Sequence, residues 1–261
     1  MKIAIIQHVI RENAVDWNLR HLTGLLDQQP GADLYVLGET FATGFMAEGT
    51  AERAGEESRQ IVDWMQQQAS RLDAAVAGSV AMVDDEGQLR NRLFFVRPDG
   101  SYDYYDKRHL FGFAGETDQY VAGCRRVVVT WRGIRFLLQV CYDLRFPVFS
   151  RNLGDYDAII YVANWPSRRR EVWQTLLKAR ALENQCFVVG VNIVGSDRAC
   201  EYLGDSMIID AYGHIIASCT PGQVETAVAE PDMDALQRFR EKFPVLLDGD
   251  AFHLEDTLCP K

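Results

Sequence analysis

No window of the chain approaches the ~18 consecutive apolar residues that a membrane-spanning helix needs, so no membrane role is expected. The start, Met1 to His8, turns polar too early for the apolar core of a signal peptide, and no small-residue cleavage site follows. No targeting segment is therefore expected. The six cysteines, at 124, 141, 186, 200, 219 and 259, contain no CxxC pair, which argues against a zinc knuckle or a disulfide framework. A chain of this length needs no covalent staples, which fits a reducing cytoplasm. There is no Gly-rich phosphate loop and no metal-ligand cluster. No linker, repeat or low-complexity stretch divides the sequence, so one domain over 1–261 is expected. Positive charge is also scarce: 27 Lys and Arg against 37 Asp and Glu give a net charge of -10, which repels a phosphate backbone. The one dense basic run, Ser167-Arg168-Arg169-Arg170, reads as a solvated helix start rather than a nucleic-acid site.

An ordinary globular balance is present, 48% hydrophobic and 25% charged residues, enough for one sizeable core. Strands are predicted at 2–8, 33–38, 74–83, 91–97 and 101–106, then at 126–131 and 134–140 around an Arg132-Gly133 turn. Further strands are predicted at 157–163 and 187–194, and near 206–210, 214–219 and 224–229. Helical spacing covers 14–28, with Trp17, Leu22, Leu25 and Leu26 on one face, and 56–71, with Ile61, Trp64, Met65 and Ala69 inward. Helices are also predicted over 167–185 and 232–242. Strands alternating with helices, with hairpins between them, point to a layered α/β architecture with mixed sheets.

Cys141 ends the apolar run Ile134–Val140 and opens the turn Tyr142-Asp143-Leu144-Arg145-Phe146-Pro147. A residue there sits at a sheet edge beside free backbone N–H groups and the positive end of a helix, which favour thiolate. The plain alternative is a small buried core cysteine, the reading taken for Cys186 and Cys219. A thiol nucleophile needs a base. His109, in a loop, makes a Cys141–His109 dyad one option. Glu39 directly follows the apolar strand Leu34–Leu37 and is flanked by aromatics, an environment that raises a carboxyl pKa toward proton-transfer range. Lys107 ends the strand carrying Tyr104-Tyr105-Asp106; alone, it would be read as a surface lysine.

Three segments change that weighing. They are Gly38-Glu39-Thr40-Phe41-Ala42-Thr43-Gly44-Phe45, Tyr105-Asp106-Lys107-Arg108-His109-Leu110-Phe111 and Val140-Cys141-Tyr142-Asp143-Leu144-Arg145-Phe146-Pro147. In that order they resemble the three signature blocks of the nitrilase (carbon–nitrogen hydrolase) superfamily. Ala163-Asn164-Trp165-Pro166 and the helix after it extend the resemblance over essentially the whole chain. The resemblance implies a four-layer αββα sandwich of two mixed β-sheets, a homodimer, and no metal or cofactor. It also implies a triad: Glu39 as base and acid, Lys107 as the positive group, Cys141 as nucleophile. Glu116 matches the family's second glutamate, seven residues before Gly123, and would hold Lys107 charged and oriented. The backbone N–H of Tyr142 joins Lys107 as oxyanion donor.

The blocks at 109–111, 141–147 and 161–166 look most like the omega-amidase branch, which acts on the terminal amide of 2-oxo acids such as 2-oxoglutaramate and 2-oxosuccinamate. Other amidase specificities (deaminated glutathione, N-carbamoyl amino acids) and a non-catalytic interaction protein of the same fold are the alternatives. An anionic substrate needs a cation. Arg145 is the candidate, since a guanidinium fork matches a carboxylate; pairing with Asp143 is its alternative role. Phe45 and Trp165 could wall the pocket.

Overall fold

A computed structural model of the protein describes residues 1–254. Strands β1 (Ile3–Gln7), β2 (Leu34–Val36), β3 (Ala75–Val83), β4 (Leu89–Val96) and β5 (Tyr102–Asp106) come first, with helices α1 (Val15–Asp27) and α2 (Thr50–Leu72) between them. After the one-turn helix α3 (Glu116–Gln119) come β6 (Val128–Trp131), β7 (Ile134–Val140), β8 (Ala158–Ala163), helix α4 (Arg170–Asn184) and β9 (Phe187–Asn192). The small hairpin β10 (Val194–Ser196) and β11 (Glu201–Leu203) is followed by β12 (Met207–Ile209), β13 (Ile215–Ser218), β14 (Glu225–Ala229) and helix α5 (Met233–Lys242).

Two six-stranded mixed sheets result, in the orders β14-β1-β2-β3-β4-β5 and β13-β12-β9-β8-β7-β6. Period-two alternation sorts each strand's side chains to two faces. Ile3, Ile5, Val36 and Phe95 of the first sheet meet Phe136, Leu138, Ile160 and Val189 of the second in one apolar layer. The opposite face of the first sheet, with Ala4, Ile6 and Tyr35, is covered by Leu19, Leu22, Ile61 and Met65 of α1 and α2. The outer face of the second, with Leu137, Ile159 and Tyr161, is covered by Trp173 and Leu177 of α4. The expected αββα sandwich is the observed one, because both faces of each sheet are apolar and each needs a cover.

Three local expectations need correction. Trp17 lies off the core face of α1, stacked on His21 and beneath the Arg11 guanidinium, while Val15 and Leu19 take the inward places. Helix α2 begins at Thr50, earlier than the apolar spacing alone predicts, since its first turns bury only Thr50, Ala54 and Ser58. Cys124 is disulfide-bonded, a departure from unpaired cysteines, whereas Cys141, Cys186, Cys200 and Cys219 are free thiols. Cys259 lies outside the described residues. Among the described residues no helix is long and apolar enough to cross a membrane.

Just beyond β1, His8 is fully buried between two carbonyl oxygens, Nε2 3.2 Å from Phe41 O and Nδ1 3.4 Å from Ile6 O. Burial pulls its pKa down to about 4, against the opposing pull of those carbonyls. The unfolded chain binds a proton near pH 6.5 that the folded chain refuses until about pH 4. Stability is therefore whole above pH 6.5 and is lost as pH falls through that window, by on the order of 3 kcal/mol. Urea titrations at pH 7 and pH 4.5 should show His8→Gln losing less stability between the two than the wild type; equal losses would place the acid sensitivity elsewhere.

Candidate active site

Strand direction brings the chemistry together. Strand β2 runs parallel to β3, β3 antiparallel to β4, and β4 antiparallel to β5, so β2 and β5 end at the same edge of the first sheet. Glu39 follows the end of β2 and Lys107 follows the end of β5. In the second sheet β7 and β8 are parallel and end side by side, which sets Cys141 beside the Asn164 segment.

Lys107 is 1% exposed and Glu39 and Glu116 are fully buried. The Lys107 Nζ lies 2.9 Å from Glu39 Oε1, and 3.0 and 2.9 Å from the two oxygens of Glu116. Asn91 Nδ2 bridges the two acids, donating to Glu39 Oε1 at 2.8 Å and to Glu116 Oε1 at 3.1 Å. The backbone N–H of Asn164 donates to Glu39 Oε2 at 2.8 Å, and Phe111 N–H to Glu116 Oε2 at 2.6 Å. Burial opposes the lysine's charge, but the charges of Glu116, Glu39 and then Cys141 outweigh it and hold the ammonium well above its ordinary pKa. The lysine backbone is clamped too: its N–H donates to Asn91 O, and Gly123 N–H donates to Lys107 O, both at 2.9 Å. A Cβ at Gly123 would stand 2.2 Å from Asp106 O, so only glycine permits that approach.

Cys141 opens a one-turn 3-10 helix, Cys141–Arg145, with φ at +45°, a left-handed conformation that costs a non-glycine residue about 1–2 kcal/mol. Asp143 holds that turn. It is buried and accepts from Val140 N–H at 2.9 Å, Tyr105 Oη at 2.9 Å and His109 N–H at 3.0 Å. His109 Nδ1 lies 2.8 Å from the same carboxylate, and the ring stacks on Phe146 at 3.9 Å. The histidine thus belongs to the Asp143 network, and the Cys141–His109 dyad does not form. Nor does Asp143 pair with Arg145.

Burial, then the Glu39 charge, pushes the Cys141 thiol well above its ordinary pKa; Lys107 pulls the other way, and hydrogen bonding with Glu39 adds to the rise. These influences together favour the protonated thiol over the thiolate at Cys141.

Cys141 and Glu39 open into a pocket of about 350 Å³. Phe45, Phe111, Tyr142 and Trp165 give it apolar walls. The Lys107 Nζ lies over the Phe45 ring, 5.2 Å from its centroid. Arg145 lines the pocket, its guanidinium 5.3 Å from the Trp165 centroid, with no carboxylate partner among the described residues. So does Arg169, which corrects the reading of the basic run as wholly solvated. Only its neighbours fit that reading: Arg168 and Arg170 are exposed, and Arg170 pairs with Asp205 at 2.7 Å. The rim comes from the unpredicted β10–β11 turn, where Arg198 pairs with Glu48 at 2.6 Å. Asn91 was not foreseen either; an asparagine inside a strand carries no sequence signal of what it faces. No group of three or more His, Cys, Asp or Glu side chains among the described residues is placed to hold a metal ion.

Residues 2–241 match the family model for carbon-nitrogen hydrolases. The chain is 48% identical over 255 residues to the omega-amidase YafV of Yersinia enterocolitica, covering 97% of this chain and 98% of that protein. It is 35% identical over 222 residues to a 2-oxoglutaramate amidase of Bacillus subtilis, covering 83% and 85%. Its fold superposes on a carbon-nitrogen hydrolase superfamily protein of Xanthomonas campestris, solved with an arsenic adduct in its active site. The TM-score there is 0.94, with 41% identity over 98% of this chain and 99% of that one. The chain therefore belongs to the carbon–nitrogen hydrolase, or nitrilase, superfamily, within its omega-amidase branch, and is an amidase.

Proposed function

We propose that this amidase removes ammonia from the terminal carboxamide of small 2-oxo acids such as 2-oxoglutaramate and 2-oxosuccinamate, through a thioester on Cys141. The observation that carries the reading is the shared pocket wall of Cys141 and Glu39, with Lys107 bonded to Glu39. Glu39 takes the thiol proton as the sulfur attacks the amide carbon. The carbonyl oxygen becomes an oxyanion, met by the Lys107 ammonium and the Tyr142 N–H, which lies in the first turn of a helix where N–H groups lack an internal partner. Such a donor contributes roughly 3–4 kcal/mol to the transition state in comparable sites. Glu39 returns its proton to the nitrogen, ammonia leaves, and the thioester remains. Glu39 then draws a proton from water, hydroxide adds to the thioester carbon, and the carboxylic acid departs as the thiol is restored. Glu116 keeps Lys107 charged and in place throughout. No metal or organic cofactor enters this scheme.

Arg145 receives the substrate carboxylate in this reading, supported by its place in the pocket and its lack of an acid partner among the described residues. Arg145→Gln should raise KM for 2-oxoglutaramate about ten- to hundredfold while changing kcat little. The deciding experiment is an ammonia assay on 2-oxoglutaramate, 2-oxosuccinamate and n-butyramide. If the uncharged amide is turned over as well as the 2-oxo acids, the substrate reading is wrong. One domain over the chain, a homodimer and a cytoplasmic setting complete the proposal; light scattering on the purified protein tests the dimer.

A further inference from the structure

The pocket contains one more cation than a carboxylate needs. A single guanidinium fork satisfies both oxygens of a carboxylate. Yet Arg145 and Arg169 both line the pocket, and neither has a carboxylate partner among the described residues. Each is backed by an aromatic face: Arg145 by Trp165 and Arg169 by Phe111, both at 5.3 Å from the ring centroid. Such backing leaves the N–H edges of a guanidinium open to a ligand. The two are also mechanically linked. Trp165 Nε1 donates to Arg169 O at 2.8 Å, and Arg169 N–H donates to Pro166 O at 2.9 Å. The ring that carries Arg145 thus also fixes the backbone of Arg169. The carboxylates at the rim are engaged elsewhere, Glu12 and Glu48 with Arg198 and Asp197 with Tyr202 Oη and the N–H groups of Ala199 and Cys200, so Arg145 and Arg169 remain to meet a ligand that brings more than one acceptor group.

We infer that Arg169 is a specificity-determining residue that reads the group at carbon 2 of the substrate, donating to a 2-oxo oxygen while Arg145 holds the adjacent carboxylate. This rests on the 2-oxo acid reading above. The chemistry discriminates in two ways. A 2-oxo acid presents a keto oxygen beside its carboxylate, so a second donor finds an acceptor. A 2-amino acid presents an ammonium there, which two guanidinium groups repel, and no acceptor compensates. The same pair would therefore admit 2-oxoglutaramate and turn away glutamine, which differs from it only at carbon 2.

The test compares kcat/KM for 2-oxoglutaramate, glutaric acid monoamide (no carbon-2 substituent) and L-glutamine in the wild type, Arg169→Gln and Arg169→Lys. In Arg169→Gln the preference for 2-oxoglutaramate over the monoamide should shrink about ten- to hundredfold, the effect of one hydrogen bond from a charged donor. The rejection of glutamine should relax as well. Arg169→Lys keeps the charge but loses the planar fork, so it should still reject glutamine while losing part of the keto preference. A merely structural role would lower all three substrates together and leave the ratios unmoved. That outcome, or unchanged rates throughout, overturns the inference even if the wild type prefers 2-oxo acids. A wild type that takes n-butyramide as readily as 2-oxoglutaramate instead overturns the underlying reading. If Arg169→Gln does not fold, the keto preference and the glutamine rejection of Arg169→Lys decide the matter.

Discussion

Lys107→Met should be less stable to urea than the wild type by about 3–5 kcal/mol and should release no measurable ammonia from any amide. The lysine is the positive centre between two fully buried carboxylates, Glu39 and Glu116. Methionine fills similar space but leaves the acids facing each other across Asn91, whose Nδ2 donates to both. One acid must then be uncharged at neutral pH, since two desolvated like charges at this range are not sustained. A second substitution makes the cause visible. Lys107→Met with Glu116→Gln removes one of the orphaned charges, so it should regain much of the lost stability while remaining inactive. If Lys107→Met melts like the wild type, the ammonium is not the electrostatic keystone of the site.

Glu39→Gln is the other large effect, and it separates two roles of the carboxylate. Amide hydrolysis should fall about a thousandfold, because no group remains to carry the proton from sulfur to nitrogen. The thiol should respond in the opposite direction. The Glu39 charge raises the Cys141 pKa and the Lys107 charge lowers it. Removing the first and keeping the second moves the thiol's pKa down. The pH midpoint for alkylation of Cys141 by iodoacetamide should therefore shift to lower pH in Glu39→Gln, even as turnover collapses. A midpoint that moves up, together with lost hydrolysis, would mean that Glu39 is needed to form the thiolate rather than to shuttle its proton.

The sandwich is legible in the sequence from its strand and helix periodicity, and Glu39, Lys107 and Cys141 stand out through the three motif blocks that carry them. Glu39, Lys107 and Cys141 each interrupt an extended run at its C-terminal end, and strand direction carries those ends to one edge. What stays hidden depends on surroundings rather than on spacing. Arg168, Arg169 and Arg170 look alike in the chain; only the tight turn after Pro166 sends Arg169 into the pocket and leaves its neighbours outside. Asn91 reads as one polar residue within β4, although its amide joins both acids. The hairpin of β10 and β11 has strands of three residues, too short for a period to register, yet its turn forms the rim. The upward push on the Cys141 thiol could not be read from its helix start, because it comes from burial and then from the Glu39 charge beside it.

The most direct measurement is the initial rate of ammonia release from 2-oxoglutaramate by Cys141→Ala, set against the wild type at equal protein concentration and with matching circular dichroism. Sulfur as the attacking atom requires the variant's rate to drop at least about ten-thousandfold. A folded Cys141→Ala that keeps even a tenth of the activity would mean that the acid and the lysine activate water directly, and the thioester route would have to be abandoned.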